Sequence, residues 1–242
     1  MLNLNRFEAM TFDCYGTLID WERGLLDALR PFASRITPPA PDDNTLLECY
    51  ARYEAALERG PFIPYRLVMR GCLAGIAGEL GFRIESGEED ALARSISNWQ
   101  ASADTADALR RLKTRFRLCV CSNIDGDLFE ASRPKLGIPL DALVTAEDVQ
   151  SYKPARAHFE RAPEVLGIPI SRIVHVAQSL YHDIAPAREM GYATVWVNRQ
   201  RGRWGATPRV EPGVRADLEV ESLAALADAA ASGGSSQAGP VA

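Results

Sequence analysis

The chain has 242 residues, of which 47% are hydrophobic and 24% charged, and this ordinary globular composition excludes a mainly disordered or fibrous protein. Its net charge of −5 disfavours nucleic acid and anionic membranes as partners, because both select a basic surface. No apolar run approaches the roughly 20 residues that a membrane-spanning helix needs, so no membrane association is expected.

The first predicted elements are one strand followed by a long helical stretch. Ala9–Phe12 is a short apolar run that ends at Asp13, where a turn-rich stretch begins, and it predicts a buried strand. Helical periodicity then dominates as far as Trp99, with little strand signal. We predict helices at Glu22–Phe32, Asn44–Glu58, Pro64–Leu80 and Asp90–Trp99.

Beyond residue 105, short apolar strands alternate with helices. The predicted strands are Arg117–Cys121, Ala142–Thr145, Ile173–Ala177 and Ala193–Asn198. The predicted helices are Thr105–Arg115, Asp127–Leu136, Ala155–Leu166 and Ile184–Met190. This alternation predicts an α/β fold, in which a Rossmann-like parallel sheet is flanked by helices.

The long helical stretch separates the first predicted strand from the others. We therefore predict an α/β core domain made of residues 1–20 and 100–228, with an inserted helical cap domain at residues 21–99. Ligands bind at the carboxyl ends of the strands in open α/β sheets, so the cap is expected to lie over those ends. Residues 229–242 are rich in Ala, Gly and Ser and predict a flexible tail.

The cysteines and the first residues bear on the compartment. The five cysteines form no CxxC pair, which disfavours a zinc site or a disulfide framework and favours reduced thiols. The first six residues lack the pattern of a secretory signal. We therefore expect a cytoplasmic protein.

Polar side chains follow the predicted strands at four places. They are the turn that begins at Asp13, the pair Ser122-Asn123, the pair Lys153-Pro154, and Gln178-Ser179 with Asp183. Each alone is ordinary for a turn, a helix cap or a solvated surface. A parallel sheet would bring all four to one crevice, where Asp13 could attack an anionic substrate that Lys153 and Ser122 hold.

These four places resemble the motifs of the haloacid dehalogenase superfamily. The segment Phe12-Asp13-Cys14-Tyr15-Gly16-Thr17-Leu18 is similar to its first motif, and Ser122, Lys153 and Asp183 match the second, third and fourth. The superfamily's phosphatases have a second Asp two residues after the nucleophile, and they bind magnesium through acids of the fourth motif. Tyr15 stands at that position here and resembles the metal-free L-2-haloacid dehalogenase branch.

The resemblance implies a hydrolase that acts on small 2-haloacids without a cofactor. In that branch an aspartate displaces the halide, and water then hydrolyses the aspartyl ester to release a 2-hydroxy acid. On this basis Asp13 is the nucleophile, and Thr17 and Lys153 orient and support it electrostatically. Asp183 pairs with Lys153 and helps to place the hydrolytic water. The expected partner is a small carboxylate substrate, and a homodimer is left open.

The same resemblance implies the substrate contacts. Ser122 binds the substrate carboxylate together with backbone amides near Cys14 and Tyr15, and Asn123 helps to hold the halide. The branch also uses a cap arginine near the halide, for which Arg52 is the candidate and Arg70 the second choice. The full set of predicted substrate contacts is Cys14, Tyr15, Arg52, Ser122, Asn123, Gln178 and Ser179.

The fourth motif departs from the branch. Gln178-Ser179-Leu180 stands where Ser-Ser-Asn is common, and Phe159 stands where a Tyr is expected. The layout is closer to that of a phosphatase, but neutral Gln178 replaces an acid and would deprive magnesium of an anionic ligand. Two alternatives therefore stay open, a magnesium-dependent small-molecule phosphatase and a non-enzymatic member that binds a small anion.

Overall fold

A six-stranded parallel sheet forms the centre of the computed structural model, which describes residues 2–36, 39–199 and 213–232. The strand order is β3-β2-β1-β4-β5-β6. The strands are β1 (Ala9–Phe12), β2 (Arg117–Ser122), β3 (Ala142–Thr145), β4 (Ile173–Ala177), β5 (Ala193–Val197) and β6 (Leu218–Val220). The predicted fold class is confirmed, and β6 is a strand that the sequence analysis did not identify.

The central strand brings the predicted motifs to one edge. All four residues of β1 are buried, because β2 and β4 pair with it on either side. Phe12 lies opposite Val120 in β2 and opposite Val176 in β4. The three strands therefore end at nearly the same level, and the residues that follow them share one surface.

Helices fill the chain between and beyond the strands. The helices between β1 and β2 are α1 (Trp21–Ala33), α2 (Asp43–Glu58), α3 (Tyr65–Leu80), α4 (Ala91–Ser95) and α5 (Thr105–Lys113). The later helices are α6 (Gly126–Glu130), α7 (Ala146–Val149), α8 (Ala157–Leu166), α9 (Ala185–Glu189) and α10 (Leu223–Ser232). Short 3₁₀ turns lie at Leu4–Arg6, Ile96–Asn98, Arg133–Leu136 and Ile170–Arg172, and a π-helical turn lies at Leu180–Ile184.

Two predicted helices include a 3₁₀ turn. The helix predicted at Asp127–Leu136 is divided into α6 and a 3₁₀ turn that contains Pro134, a residue with no amide hydrogen for a continuing helix. The helix predicted at Asp90–Trp99 ends as α4 at Ser95 and continues as a 3₁₀ turn. Neither change moves a predicted site residue.

The helices α1–α4 form an insertion that is joined to the strand ends by hydrogen bonds. The carboxylate of Asp125, just after β2, accepts hydrogen bonds from the backbone amides of Tyr65 (2.7 Å) and Arg66 (2.9 Å) at the start of α3. The Tyr152 hydroxyl donates to the Ile63 carbonyl at 2.7 Å. The insertion thus contacts the edge of the sheet where Asp13 lies, while the domain boundaries near residues 20 and 99 stay predictions.

The chain's last described helix corrects the predicted tail. A flexible tail was expected from residue 229, but α10 continues to Ser232 and buries Ala230. Alanine is the strongest helix former, so an Ala-rich stretch extends a helix that packs against the core. Residues 233–242 lie outside the described residues. In the described ranges no helix has the length and apolar character needed to cross a bilayer.

Candidate active site

Buried polar residues converge at the carboxyl end of the sheet. Asp13 follows β1, Ser122 ends β2, Lys153 lies in the loop after α7, and Asp183 lies in the π-helical turn after β4. All four are less than 9% exposed. Gly16 has a φ of +100°, a left-handed conformation that a side chain disfavours, and it turns the backbone just after Asp13.

Both oxygens of the Asp13 carboxylate are hydrogen-bonded. The Lys153 ammonium donates to Asp13 Oδ1 at 2.9 Å, and the Thr17 hydroxyl donates to Asp13 Oδ2 at 2.7 Å. Lys153 Nζ also donates to Asp183 Oδ1 at 2.7 Å and to the Cys121 carbonyl at 3.0 Å. The structure therefore brings together the four residues predicted to be catalytic, and it holds Asp13 in one orientation.

Burial and ion pairing act in opposite directions on these three charged groups. Burial raises the pKa of Asp13 above its ordinary value, and the Lys153 ammonium offsets part of this effect. Burial disfavours the charge on Lys153, but the two carboxylates raise its pKa above the ordinary lysine value. Burial likewise opposes ionisation of Asp183, yet Lys153 and His175 keep its pKa below the usual range. Lys153 and Asp183 are therefore a charged pair.

A buried histidine holds Asp183 from within the sheet. His175 Nε2 lies 3.0 Å from Asp183 Oδ1, and His175 Nδ1 lies 2.8 Å from the Thr11 hydroxyl. An ionised carboxylate only accepts hydrogen bonds, so we assign the proton to Nε2. His175 is thus a positioning residue, and the sequence analysis did not identify it.

A cavity of about 80 Å³ lies over these groups. Most of the predicted site residues line it: Asp13, Tyr15, Ser122, Asn123, Lys153, Gln178, Ser179 and Asp183. The Ser122 hydroxyl is buried and, within the described residues, has no hydrogen-bond partner. Because an unpaired buried hydroxyl is costly, it is a ready contact for a polar ligand atom.

Several other polar groups of the site are held by hydrogen bonds to the protein. The Asn123 side chain accepts from the Lys153 amide at 2.7 Å and donates to the Lys153 carbonyl at 3.1 Å, so it positions the lysine's loop. The Tyr15 hydroxyl is 3.0 Å from Ser132 Oγ, and burial keeps the phenol protonated by raising its pKa. The Gln178 backbone amide donates to the Thr17 hydroxyl at 2.9 Å.

Comparison with known proteins gives the family. Residues 7–191 match the sequence model of the haloacid dehalogenase-like hydrolases. The chain belongs to this family. The resemblance derived from the four motifs is therefore confirmed, and the family is one of hydrolases.

Individual relatives agree with the proposed branch of the superfamily. An (S)-2-haloacid dehalogenase of Pseudomonas sp. strain YL is 26% identical over 233 residues, which cover 93% of this chain and 95% of that protein. One from Pseudomonas putida is 25% identical over 205 residues, or 82% of this chain and 88% of that protein. The solved structure of an L-2-haloacid dehalogenase from Xanthobacter autotrophicus with chloropropionic acid covalently bound has a TM-score of 0.76 at 20% identity, covering 92% of this chain and 97% of that chain.

The two candidate cap arginines lie away from the cavity of this dehalogenase-like hydrolase. Arg52 projects from the outer side of α2, where its side chain is 58% exposed and pairs with Glu79 at 2.8 Å. Arg52 is two residues from Glu54, or about 200° around a helix, and Glu54 lines the cavity. Arg70, the second choice, pairs with Asp90 at 2.8 Å. The side chain of Cys14 packs in the hydrophobic core.

The position of Arg52 gives a prediction that opposes the sequence-based one. Arg52→Ala should leave kcat and KM for a 2-haloacid within about twofold of the wild-type values, the usual result for an exposed residue outside a site. Steady-state halide release by Arg52→Ala and by Arg70→Ala tests this. A fall in kcat confined to Arg52→Ala would show that Arg52 belongs to the site after all.

The cavity also contains residues that the sequence analysis did not assign. Glu54 and Glu58 of α2 line it, as do the rings of Trp21, Tyr65 and Trp99. A signal for the two acids was present, because Tyr50, Glu54 and Glu58 are spaced by four and share one helix face. Tyr50 is fully buried, which places that face inward.

Proposed function

We propose that this protein hydrolyses the carbon–halogen bond of a small 2-halocarboxylic acid, with Asp13 as the nucleophile. The observation that carries the proposal is the Asp13 carboxylate at a small cavity, with one oxygen bonded to Lys153 and the other to Thr17. An oriented carboxylate with Tyr15 in place of a second Asp two residues on suits displacement of halide, since a halide leaves without protonation. Dehalogenase relatives that match most of the chain support this reaction class.

In the first proposed step, an oxygen of Asp13 forms a bond to C2 of the substrate as the carbon–halogen bond breaks and the halide takes the bonding electrons. The product is an ester between Asp13 and the substrate. Lys153 stabilises the carboxylate before attack, and its charge offsets the second anion that arrives with the substrate carboxylate. In this proposal the Ser122 hydroxyl, which has no hydrogen-bond partner in the described ranges, donates to that carboxylate.

In the second proposed step, water attacks the carboxyl carbon of the Asp13 ester, and the bond between that carbon and the ester oxygen on C2 of the substrate breaks. The 2-hydroxy acid leaves, Asp13 is restored, and one proton passes to solvent. Asp183 lines the cavity, and its low pKa makes it a hydrogen-bond acceptor for the attacking water rather than a store for the proton. His182 also lines the cavity, and burial lowers its pKa to about 4, so it is neutral at pH 7.

We propose that this reaction needs no metal ion. The Lys153 ammonium lies between Asp13 and Asp183 and binds one oxygen of each carboxylate. Gln178 is neutral, and the Tyr15 hydroxyl is bonded to Ser132. In the described ranges, no group of three His, Cys, Asp or Glu residues is arranged to hold a metal. Magnesium prefers oxygen ligands that include one or two carboxylates, so these residues fit it poorly.

Metal independence is the prediction that separates the dehalogenase from the phosphatase. Halide release from 2-chloropropionate and 2-bromopropionate should be unchanged by EDTA and by added magnesium, and a panel of small phosphate esters should yield no phosphate. Ion chromatography for halide and a colorimetric phosphate assay measure both products. Phosphate release that EDTA abolishes and magnesium restores would favour the phosphatase. Absence of phosphate, and of halide from plain and amino-substituted 2-haloacids alike, would favour the non-enzymatic alternative.

A further inference from the structure

The insertion contributes two carboxylates to the cavity that contains Asp13. Glu54 and Glu58 lie one turn apart on α2, so both point from the same helix face. Glu54 accepts a hydrogen bond from the Tyr65 hydroxyl at 2.6 Å, and that hydroxyl lies 3.0 Å from the Tyr50 hydroxyl. Both carboxylate oxygens of Glu58 lie 3.5 Å from the side-chain amide nitrogen of Asn123, the residue that follows β2. Tyr65 therefore holds Glu54 in a defined place, and Glu58 reaches the strand end.

The cavity lining has more acidic side chains than basic ones. Its four carboxylates face a single ammonium, that of Lys153, which is already paired with Asp13 and Asp183. No ion pair to Glu54 or Glu58 occurs in the part of the chain that the structure describes. Burial disfavours the charged form of both acids and raises the pKa of each. A ligand cation would favour the ionised forms of both acids and pair with them, whereas a simple haloacid brings another negative charge.

Aromatic rings line the same cavity as these carboxylates. Trp21, Tyr65 and Trp99 all line the cavity, and the Trp99 ring packs edge-on against Tyr15 with centroids 5.6 Å apart. The face of an indole or phenol ring attracts an ammonium group, most strongly where water is excluded. Carboxylates and aromatic rings together form a common environment for a bound ammonium ion.

A second, independent feature of the cavity indicates a ligand with a further polar group. The Ser122 hydroxyl is 1% exposed, lines the same cavity, and lacks a hydrogen-bond partner in the described ranges. It lies at the end of β2, close to Lys153 in the loop after α7, which binds the Cys121 carbonyl. A ligand with an anionic group at Ser122 and a cationic group at Glu54 and Glu58 would satisfy both sets of side chains.

We propose that the substrate of this site carries an ammonium group in addition to its carboxylate, and that Glu54 and Glu58 bind this ammonium among the aromatic rings. The proposal rests on the proposed function and narrows its substrate to an amino-substituted 2-haloacid. Glu54 and Glu58 are therefore specificity residues, and a plain haloacid such as 2-chloropropionate is a poor substrate.

Binding of two product-like probes tests this proposal without turnover. Isothermal titration calorimetry should show that 3-amino-2-hydroxypropionate binds more tightly than 2-hydroxypropionate, which lacks only the amine. Glu54→Gln and Glu58→Gln keep the shape and remove one charge, and each should weaken binding of the amino probe about tenfold or more. Glu48→Gln, an exposed acid on the same helix, is the matched control and should change neither probe's affinity.

Turnover of two chloro acids provides a second test, because the glutamine variants should change kcat/KM for the two substrates in opposite directions. Each glutamine variant should lower kcat/KM for 3-amino-2-chloropropionate and raise it for 2-chloropropionate, because removing a carboxylate weakens attraction for the amine and repulsion of the plain acid. Thermal melts confirm that the variants are folded. If one glutamine variant does not fold, the other and the comparison of the two probes on wild-type protein still test the proposal.

The outcomes separate this inference from the proposed function. Equal binding of the two probes to wild-type protein, or loss of affinity for the plain acid in the glutamine variants, would overturn the ammonium site while leaving dehalogenation intact. Tight, Glu54-dependent binding of the amino probe with no halide release from either chloro acid would support the ammonium site and overturn dehalogenation.

Discussion

Asp13→Asn is expected to abolish halide release while leaving the protein folded. An amide has almost the shape of a carboxylate but is a very poor nucleophile, and losing a covalent nucleophile lowers kcat by about four orders of magnitude or more. The fold should tolerate the change because Lys153 keeps the amide oxygen and its pair with Asp183, while the Thr17 hydroxyl can accept a hydrogen bond from the amide nitrogen. Halide release and thermal melts on the same preparation measure the two effects.

A control variant and an oxygen isotope label make the test of Asp13 specific. Asp107→Asn is the control: it removes an exposed carboxylate on α5, far from Asp13 in the sequence, and should leave kcat unchanged. A single turnover in heavy-oxygen water should label the Asp13 carboxylate, since the proposed water attacks its ester carbon. Activity within about tenfold of wild type in Asp13→Asn, or a label found only in the product, would contradict a covalent role for Asp13.

The sequence predicts the catalytic side of the site well because strand ends are visible in it. An apolar run that stops at a polar residue predicts both a strand and its end, and this placed Asp13 and Ser122 correctly. Parallel pairing then brings such ends together, and the register of Phe12 with Val120 and Val176 does so here. The strand pattern alone therefore predicts that these residues share one edge of the sheet.

The side of the site formed by the insertion was harder to predict. Whether Arg52 or Glu54 faces the cavity depends on how α2 is rotated against the sheet, and that rotation is set by contacts between distant residues. One of these contacts joins Glu58 to Asn123, which are 65 residues apart. An arginine was sought there because the superfamily resemblance implies one, and the packing of α2 instead presents two acids.

Buried supporting residues were also missed, for a related reason. His175 lies in the middle of a strand that is apolar elsewhere, where a histidine is usually a core residue with satisfied hydrogen bonds. Its function follows only from its neighbours, Thr11 in β1 and Asp183 after β4. Pairing between strands that are far apart in sequence creates this contact, so no local pattern indicates it.

Lys153→Met is expected to lower kcat/KM by at least about 100-fold, the scale for a lost electrostatic contact in a closed site. Without the ammonium, the carboxylates of Asp13 and Asp183 repel each other and the incoming substrate anion. Removing one partner of a buried ion pair also destabilises a fold by about 3–5 kcal/mol, and Lys153 is only 2% exposed. A drop in activity could therefore reflect unfolding, and two further measurements exclude that explanation.

The pH profile separates an electrostatic role from a structural one. Asp13 attacks as a carboxylate, so activity is lost as the pH falls through its pKa, and burial already raises that pKa. Lys153 lowers the pKa of Asp13, so Lys153→Met should move the acid limb of kcat/KM to higher pH. The double variant Lys153→Met/Asp183→Asn removes one of the two repelling charges, and it should regain part of the thermal stability without regaining wild-type activity. An acid limb at the wild-type pH in the folded variants would show that Lys153 supports the fold and not the charge of the nucleophile.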